Sequence, residues 1–123
     1  MVIDLIATLL LESKEKIQKA QETLNEEKWA ASIYYSYTSM VNTAKAILTA
    51  ENIKTNTHAS IIKDFDEKFV LTGRIDIAEG FENLALQLNK NEPTADFANK
   101  YIENAKDFLK SVEAFRASEL AAV

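Results

Sequence analysis

Several residue types are scarce in this sequence, and cysteine is missing altogether. Without cysteine these residues form no disulfide, no zinc–thiolate site and no iron–sulfur site, and they supply no thiol nucleophile. The single histidine, His58, excludes a di-iron bundle, which needs two Glu-x-x-His pairs. No glycine-rich phosphate loop is present either. We therefore predict no metal site and no cofactor.

Helix-breaking residues are also rare, because the 123 residues include two glycines and one proline. Good helix formers such as Ala, Leu, Glu and Lys are abundant, so the chain is predicted to be almost entirely helical. The length suits one domain with its own hydrophobic core, and we expect a single domain over residues 1–123.

Acidic and basic residues are interspersed, with a formal net charge of −5. The absence of a basic block disfavours general binding of nucleic acid. From Leu5 onward the apolar run near the start of the chain resembles one face of a helix. It is too short to be a membrane span, so no membrane association is expected. A cytoplasmic location is the corresponding expectation.

Apolar residues recur at steps of three and four, which predicts helices at about 3–25 and from Trp29 to about Ala50. Further helices are predicted from three signals: a Thr57 cap with a stop at Gly73, the capping-box spacing of Asp76 and Glu79 before a short helix at 77–88, and a Thr94 cap before a last long helix. Four long helices and one short helix indicate an up-and-down four-helix bundle with an additional short helix.

The stretch "WAASIYYSYTSMVNTA", residues 29–44, contains no charged side chain. At the helical period its core stripe comprises Ala30, Ile33, Tyr34, Tyr37, Met40, Val41, Ala44, Ile47 and Leu48. A second uncharged stripe comprises Ser32, Tyr35, Ser39, Asn42 and Ala46. Either the short inserted helix or a terminus of the same chain covers this second stripe, or the stripe is a subunit interface across a two-fold axis. Because tyrosine is enriched at interfaces, we predict a homodimer whose interface contains this second stripe.

His58 lies in the first turn of the third predicted helix, where free backbone N–H groups favour anions. One interpretation is a neutral His58 that caps or packs against the helix. The functional alternative is that His58, Lys54, Asn56 and Lys45 line a small pocket for an anion or a nucleotide.

Tyr34-x-x-Tyr37 followed by "NTAKAIL", then "TNTHASIIKDFDEKFV", "TADF" and "YIENAKDFL", resembles the HEPN domain family (higher eukaryotes and prokaryotes nucleotide-binding) over about residues 5–115. The resemblance implies an all-α bundle, often dimeric. Family members include partners of nucleotidyltransferases, nucleotide- or RNA-binding modules and metal-independent ribonucleases.

The ribonuclease members carry an Arg followed four to six residues later by a His, whereas neither Arg74 nor Arg116 is followed by a His. Where the broader family often has an Arg three residues before an Ala-Asp-Tyr turn, "EPTADF" places Glu92, with Phe97 for the Tyr. A carboxylate cannot supply the cationic hydrogen bonds of Arg to phosphate. The resemblance therefore implies a non-catalytic module rather than an enzyme.

Within the family, "KTNTHASIIKDFDEKFV" and "NKNEPTADFANKYI" look most like a C-terminal extension of bacterial sulfite/nitrite reductase-like proteins. This implies an accessory domain with a covalent or non-covalent reductase partner. The alternative is a nucleotide- or RNA-binding component of a toxin–antitoxin or nucleotidyltransferase pair.

Overall fold

The computed structural model describes the backbone of residues 2–122 and the side chains of residues 5–122. Its helices are α1 (Val2–Asn25), α2 (Trp29–Ala50), α3 (His58–Phe65), α4 (Phe81–Lys90) and α5 (Ala95–Ala121). A π-helical segment, Asp66–Val70, continues α3. Within this described part there is no strand, which confirms the predicted all-α class.

Helices α1 and α2 form an antiparallel pair joined by buried hydroxyl groups. The Ser39 hydroxyl donates to the Ser13 carbonyl oxygen at 2.8 Å, and the Ser13 hydroxyl proton is shared between the Ser39 carbonyl oxygen at 3.2 Å and the Leu9 carbonyl oxygen at 3.0 Å. Ser32 donates to the Ala20 carbonyl oxygen at 2.8 Å, and Thr43 donates to the Ser13 hydroxyl at 3.0 Å. We call this contact the serine seam. Its side chains are small enough to let the two helices approach closely.

The serine seam explains why α2 lacks charges. Ser32, Ser39 and Ala46 are buried within the chain, and Ser32 and Ser39 bond directly to α1. The expectation that these positions face a second copy is therefore corrected, because α1 is the segment that covers them. Tyr35 and Asn42, the other members of that stripe, are partly buried. Homodimer formation itself stays a prediction.

The opposite side of α2 packs on α3 and α5 around a cluster of aromatic rings. The Phe65 and Phe108 ring centroids are 4.8 Å apart, and those of Phe81 and Phe108 are 5.1 Å apart. Most of the predicted core stripe of α2 lies in this core, but Ala30 and Tyr34 were assigned wrongly. Ala30, in the first turn of the helix, is exposed, and Tyr34 is 61% exposed.

Most of the predicted helix ends are observed. The Thr57 and Thr94 hydroxyls accept from the backbone N–H groups of Ser60 and Phe97, both at 3.1 Å, so both predicted caps are confirmed. Gly73 adopts a φ of 72°, the left-handed conformation predicted for a helix stop.

The fourth helix begins later than predicted, at Phe81 instead of residue 77, and its cap comes from a distant residue. The Asp66 carboxylate accepts from the backbone N–H groups of Phe81 at 2.8 Å and Glu82 at 2.9 Å. A Cβ at Gly80 would lie 3.1 Å from that carboxylate, so a larger residue would crowd the cap. The capping-box assignment of Asp76 and Glu79 was therefore wrong, because both precede the helix.

The serine seam predicts that two matched substitutions in α2 have opposite effects on the free energy of unfolding. Ser36 and Ser39 are both fully buried, but the Ser36 hydroxyl has no hydrogen-bond partner among the described residues. Ser39→Ala loses a bond worth about 1 kcal/mol, whereas Ser36→Ala removes an unsatisfied group that costs about 1 kcal/mol or more. We therefore expect Ser36→Ala to have the higher free energy of unfolding in urea titration. Equal stabilities would show that the seam hydrogen bonds do not matter.

The Asp66 cap predicts that Asp66→Ala lowers the free energy of unfolding by about 0.5–2 kcal/mol, because two N–H groups of α4 lose their acceptor. Glu67→Ala is the matched control, since Glu67 is exposed and adjacent. Thermal unfolding followed by circular dichroism measures both variants. An Asp66→Ala melting temperature equal to that of Glu67→Ala would contradict the capping role.

Candidate functional site

The end of α2 builds one half of the predicted pocket. Asn52 has a φ of 61°, its N–H donates to the Thr49 carbonyl, and the Ile53 N–H donates to the Leu48 carbonyl. This pair of bonds is a Schellman motif, in which Asn is a favoured left-handed residue after Gly. Ile53 packs back on the core, so the following loop is turned across the end of α2.

Three of the four predicted pocket residues come together at this turn. Lys45, Lys54 and Asn56 line a surface cavity of about 370 Å³ together with Asn52 and Thr49. Lysine ammonium groups and asparagine amides donate hydrogen bonds, so these side chains offer donors to an anion beside the apolar side chains of Leu5 and Ile53. We call it the lysine cavity.

The fourth predicted residue, His58, is not part of that lining. It is the first residue of α3, and its Nδ1 atom lies 3.3 Å from the Tyr37 hydroxyl. The two ring centroids are 5.7 Å apart in an edge arrangement. His58 is exposed at the surface, whereas Tyr37 is partly buried. The Tyr37 ring also packs on the Phe81 ring, with the two centroids 6.2 Å apart.

Burial raises the pKa of the Tyr37 hydroxyl above its ordinary value, so this hydroxyl stays protonated at neutral pH. The Tyr37 hydroxyl accepts from Nδ1–H in one tautomer of neutral His58, and it donates to Nδ1 in the tautomer that carries its proton on Nε2. That tautomer leaves an N–H directed away from Tyr37. The arrangement supports the packing interpretation of His58 and also leaves one imidazole nitrogen available to a ligand.

Tyr101 is a buried residue of α5 that lies close enough to Tyr37 for their charges to interact. Its hydroxyl donates to the Leu84 carbonyl oxygen at 2.6 Å, and burial raises its pKa far above the ordinary value. The negative charge of a Tyr37 phenolate raises it further, as does the Glu79 carboxylate. Helical periodicity can indicate the burial of such a residue but not its hydrogen bond to α4.

Arg74, one of the two arginines, is held by carboxylates and aromatic rings. Its guanidinium donates hydrogen bonds to both carboxylate oxygens of Glu51, at 2.9 and 2.6 Å. It also lies 3.5 Å from a Glu119 carboxylate oxygen. The hydrogen bonds to Glu51 raise its pKa. The group also lies over the Phe69 and Phe115 rings, at 5.0 and 5.2 Å from their centroids. It links α2, α5 and the turn after the π-helical segment.

Over the residues that the structure describes, no cluster of three or more His, Asp or Glu side chains is placed to hold a metal ion. In the described part of the chain, no helix combines the length and the apolar character needed to cross a bilayer.

Comparison with known families agrees with this architecture. The family described as "HEPN domain" matches residues 6–120, which is nearly the whole chain. This chain therefore belongs to the HEPN domain family.

Two relatives come from distant organisms. A UPF0332 protein of Thermotoga maritima is 23% identical over 104 residues, which are 84% of this chain and 79% of that protein. A protein of Methanocaldococcus jannaschii named "Putative toxin MJ0142" is 33% identical over 89 residues, which are 72% of this chain. The aligned part covers 59% of the archaeal protein, so a large part of that protein has no counterpart in the match.

The contact between His58 and Tyr37 predicts a specific effect of Tyr37→Phe. This substitution keeps the ring that packs on Phe81 and removes the hydroxyl that faces Nδ1. We expect the imidazole ¹⁵N shifts of neutral His58 to move toward a more even mixture of the two tautomers. The measurement is unambiguous because the chain has one histidine. Tyr34→Phe is the control, and identical His58 shifts in Tyr37→Phe and wild type would contradict the contact.

Proposed function

We propose that this chain is the HEPN component of a two-protein system of the toxin–antitoxin or nucleotidyltransferase type, in which it binds a nucleotide and does not cleave RNA. The observation that carries the proposal is the match to the archaeal relative, whose name calls it a putative toxin. The family membership supports the same class of function.

The state of Arg74 supports the non-catalytic part of this proposal. A ribonuclease of this family needs a cationic Arg close to a His, whereas the Arg74 guanidinium is neutralised by Glu51 and Glu119. His58 in turn contacts Tyr37. An Arg that already holds a bidentate carboxylate would have to lose that pair before it could bind phosphate.

The lysine cavity supports the nucleotide-binding part. Two lysines and an asparagine surround about 370 Å³, which is within the size range of small-ligand sites. Phosphate groups are the parts of a nucleotide that such donors recognise. His58 is the first residue of α3, directly after the loop that contributes Lys54 and Asn56, and it contacts Tyr37 of α2.

The predicted association with sulfite/nitrite reductase-like proteins receives no support from the matched relatives, neither of which is named as a reductase. The product of the adjacent reading frame distinguishes the two candidates. Co-purification with a nucleotidyltransferase supports the proposal, and co-purification with a reductase supports the accessory-domain alternative.

The proposal predicts ATP binding without RNA cleavage by the purified protein. We expect calorimetric titration to show that Lys45→Ala with Lys54→Ala weakens ATP binding about tenfold or more, since two cationic phosphate donors are lost. Lys90→Ala with Lys100→Ala is the matched control, because these lysines are exposed and do not line the cavity. A labelled single-stranded RNA should remain intact in the same samples.

Two results would overturn the proposal. The first is RNA cleavage by the wild-type protein that disappears in His58→Ala, which would make the chain a ribonuclease. The second is an ATP affinity that is absent in the wild type or unchanged by the two cavity substitutions.

A further inference from the structure

A second concave surface lies between α3 with its π-helical extension and α4. We call it the α3–α4 groove. It encloses about 610 Å³, and its apolar lining includes Ile62, Leu71, Ala85 and Leu86. Glu67 and Glu82 lie on its rim. It shares no lining residue with the lysine cavity, so it is a separate surface.

The groove is built on a rigid frame. Asp66, itself part of the lining, caps α4 through its bonds to Phe81 and Glu82. Behind it, the Phe65 and Phe81 rings meet edge to face with centroids 6.2 Å apart. The Leu71 N–H donates to the Asp66 carbonyl oxygen at 2.8 Å, an i→i+5 bond of the π type. Such segments are rare and often occur at functional sites.

Two leucines in this groove are exposed to solvent. Leu71 is 79% exposed and Leu86 is 42% exposed. A single exposed leucine needs no explanation, but two that line one concave surface form an apolar patch, which is typical of a binding site. Burial of both side chains by a partner would remove most of that apolar area from water.

The charges around the groove indicate what kind of partner fits. The lining contains three carboxylates, Asp66, Glu67 and Glu82, and one ammonium group, Lys63. An apolar floor with a mostly acidic rim is complementary to an apolar side chain flanked by basic residues. Helices α3 and α4 are short, with 8 and 10 residues, and their side chains form the two walls of the groove.

We propose that the α3–α4 groove binds an amphipathic helix of the partner protein, with apolar residues against Leu71 and Leu86 and with Lys or Arg facing Glu67 and Glu82. The inference rests on the proposed two-protein system, which supplies that partner. The groove then serves protein recognition, while the lysine cavity at the end of α2 serves ligand binding.

The test uses a fluorescent amphipathic peptide of leucine and lysine, about 14 residues long and helical, with fluorescence anisotropy as the readout. We expect the protein to bind this peptide more tightly than a leucine–glutamate peptide of equal length. Leu71→Ala with Leu86→Ala should weaken binding about tenfold or more, because the apolar anchors of the groove are lost.

Leu11→Ala with Leu120→Ala is the matched control. These leucines are 57% and 63% exposed and lie on α1 and α5, outside the groove. A second pair of double variants tests the contribution of the groove carboxylates. Glu67→Gln with Glu82→Gln should weaken peptide binding. Glu12→Gln with Glu22→Gln, on α1 and outside the groove, should leave peptide binding unchanged. Circular dichroism checks that all four double variants keep the wild-type helix content.

Three outcomes would overturn the inference: no binding of the basic peptide, equal loss in the groove and control variants, or a wild-type dimer that Leu71→Ala with Leu86→Ala dissociates. The last result would make a second copy of the chain the occupant. ATP binding by the same samples separates the two proposals, because an intact ATP response with no peptide response rejects the groove alone.

Discussion

The reciprocal hydrogen bonds between Ser13 and Ser39 are the contact on which the rest of the architecture depends. Each hydroxyl donates to the other residue's carbonyl oxygen across two helices of 24 and 22 residues. These bonds satisfy buried hydroxyls, whose desolvation would otherwise cost free energy. Because one side of α2 is closed in this way, its other side is left to organise α3 and α5.

The aromatic core connects this scaffold to His58 and to the α3–α4 groove. Phe81 contacts Phe65 and Phe108 in the core and also contacts Tyr37, which holds His58. The same residue is the first of α4, where its N–H is capped by Asp66. The position of α4 therefore affects the surroundings of His58 and the width of the α3–α4 groove. Phe81 is therefore a contact that the Tyr37–His58 pair and the frame of the groove share.

The candidate site was predictable where its residues are close in sequence. Lys54 and Asn56 belong to the loop after α2, and Lys45 lies one and a half turns before the end of that helix, so local geometry brings them together. His58 was grouped with them because it is near in sequence. The start of α3 instead places it against Tyr37, a residue 21 positions away, which helix periodicity does not report.

Local signals determined the helix ends at Thr57, Gly73 and Thr94, because each cap is made by a residue within one turn of the backbone that it serves. The pattern of α2 also determined that two of its faces are packed. Only the tertiary structure decided that α1 covers the second face, since periodicity identifies an uncharged surface but not its neighbour. The start of α4 was decided in the same way. Its cap, Asp66, is 15 residues from Phe81, and the two meet only when α3 and α4 pack together.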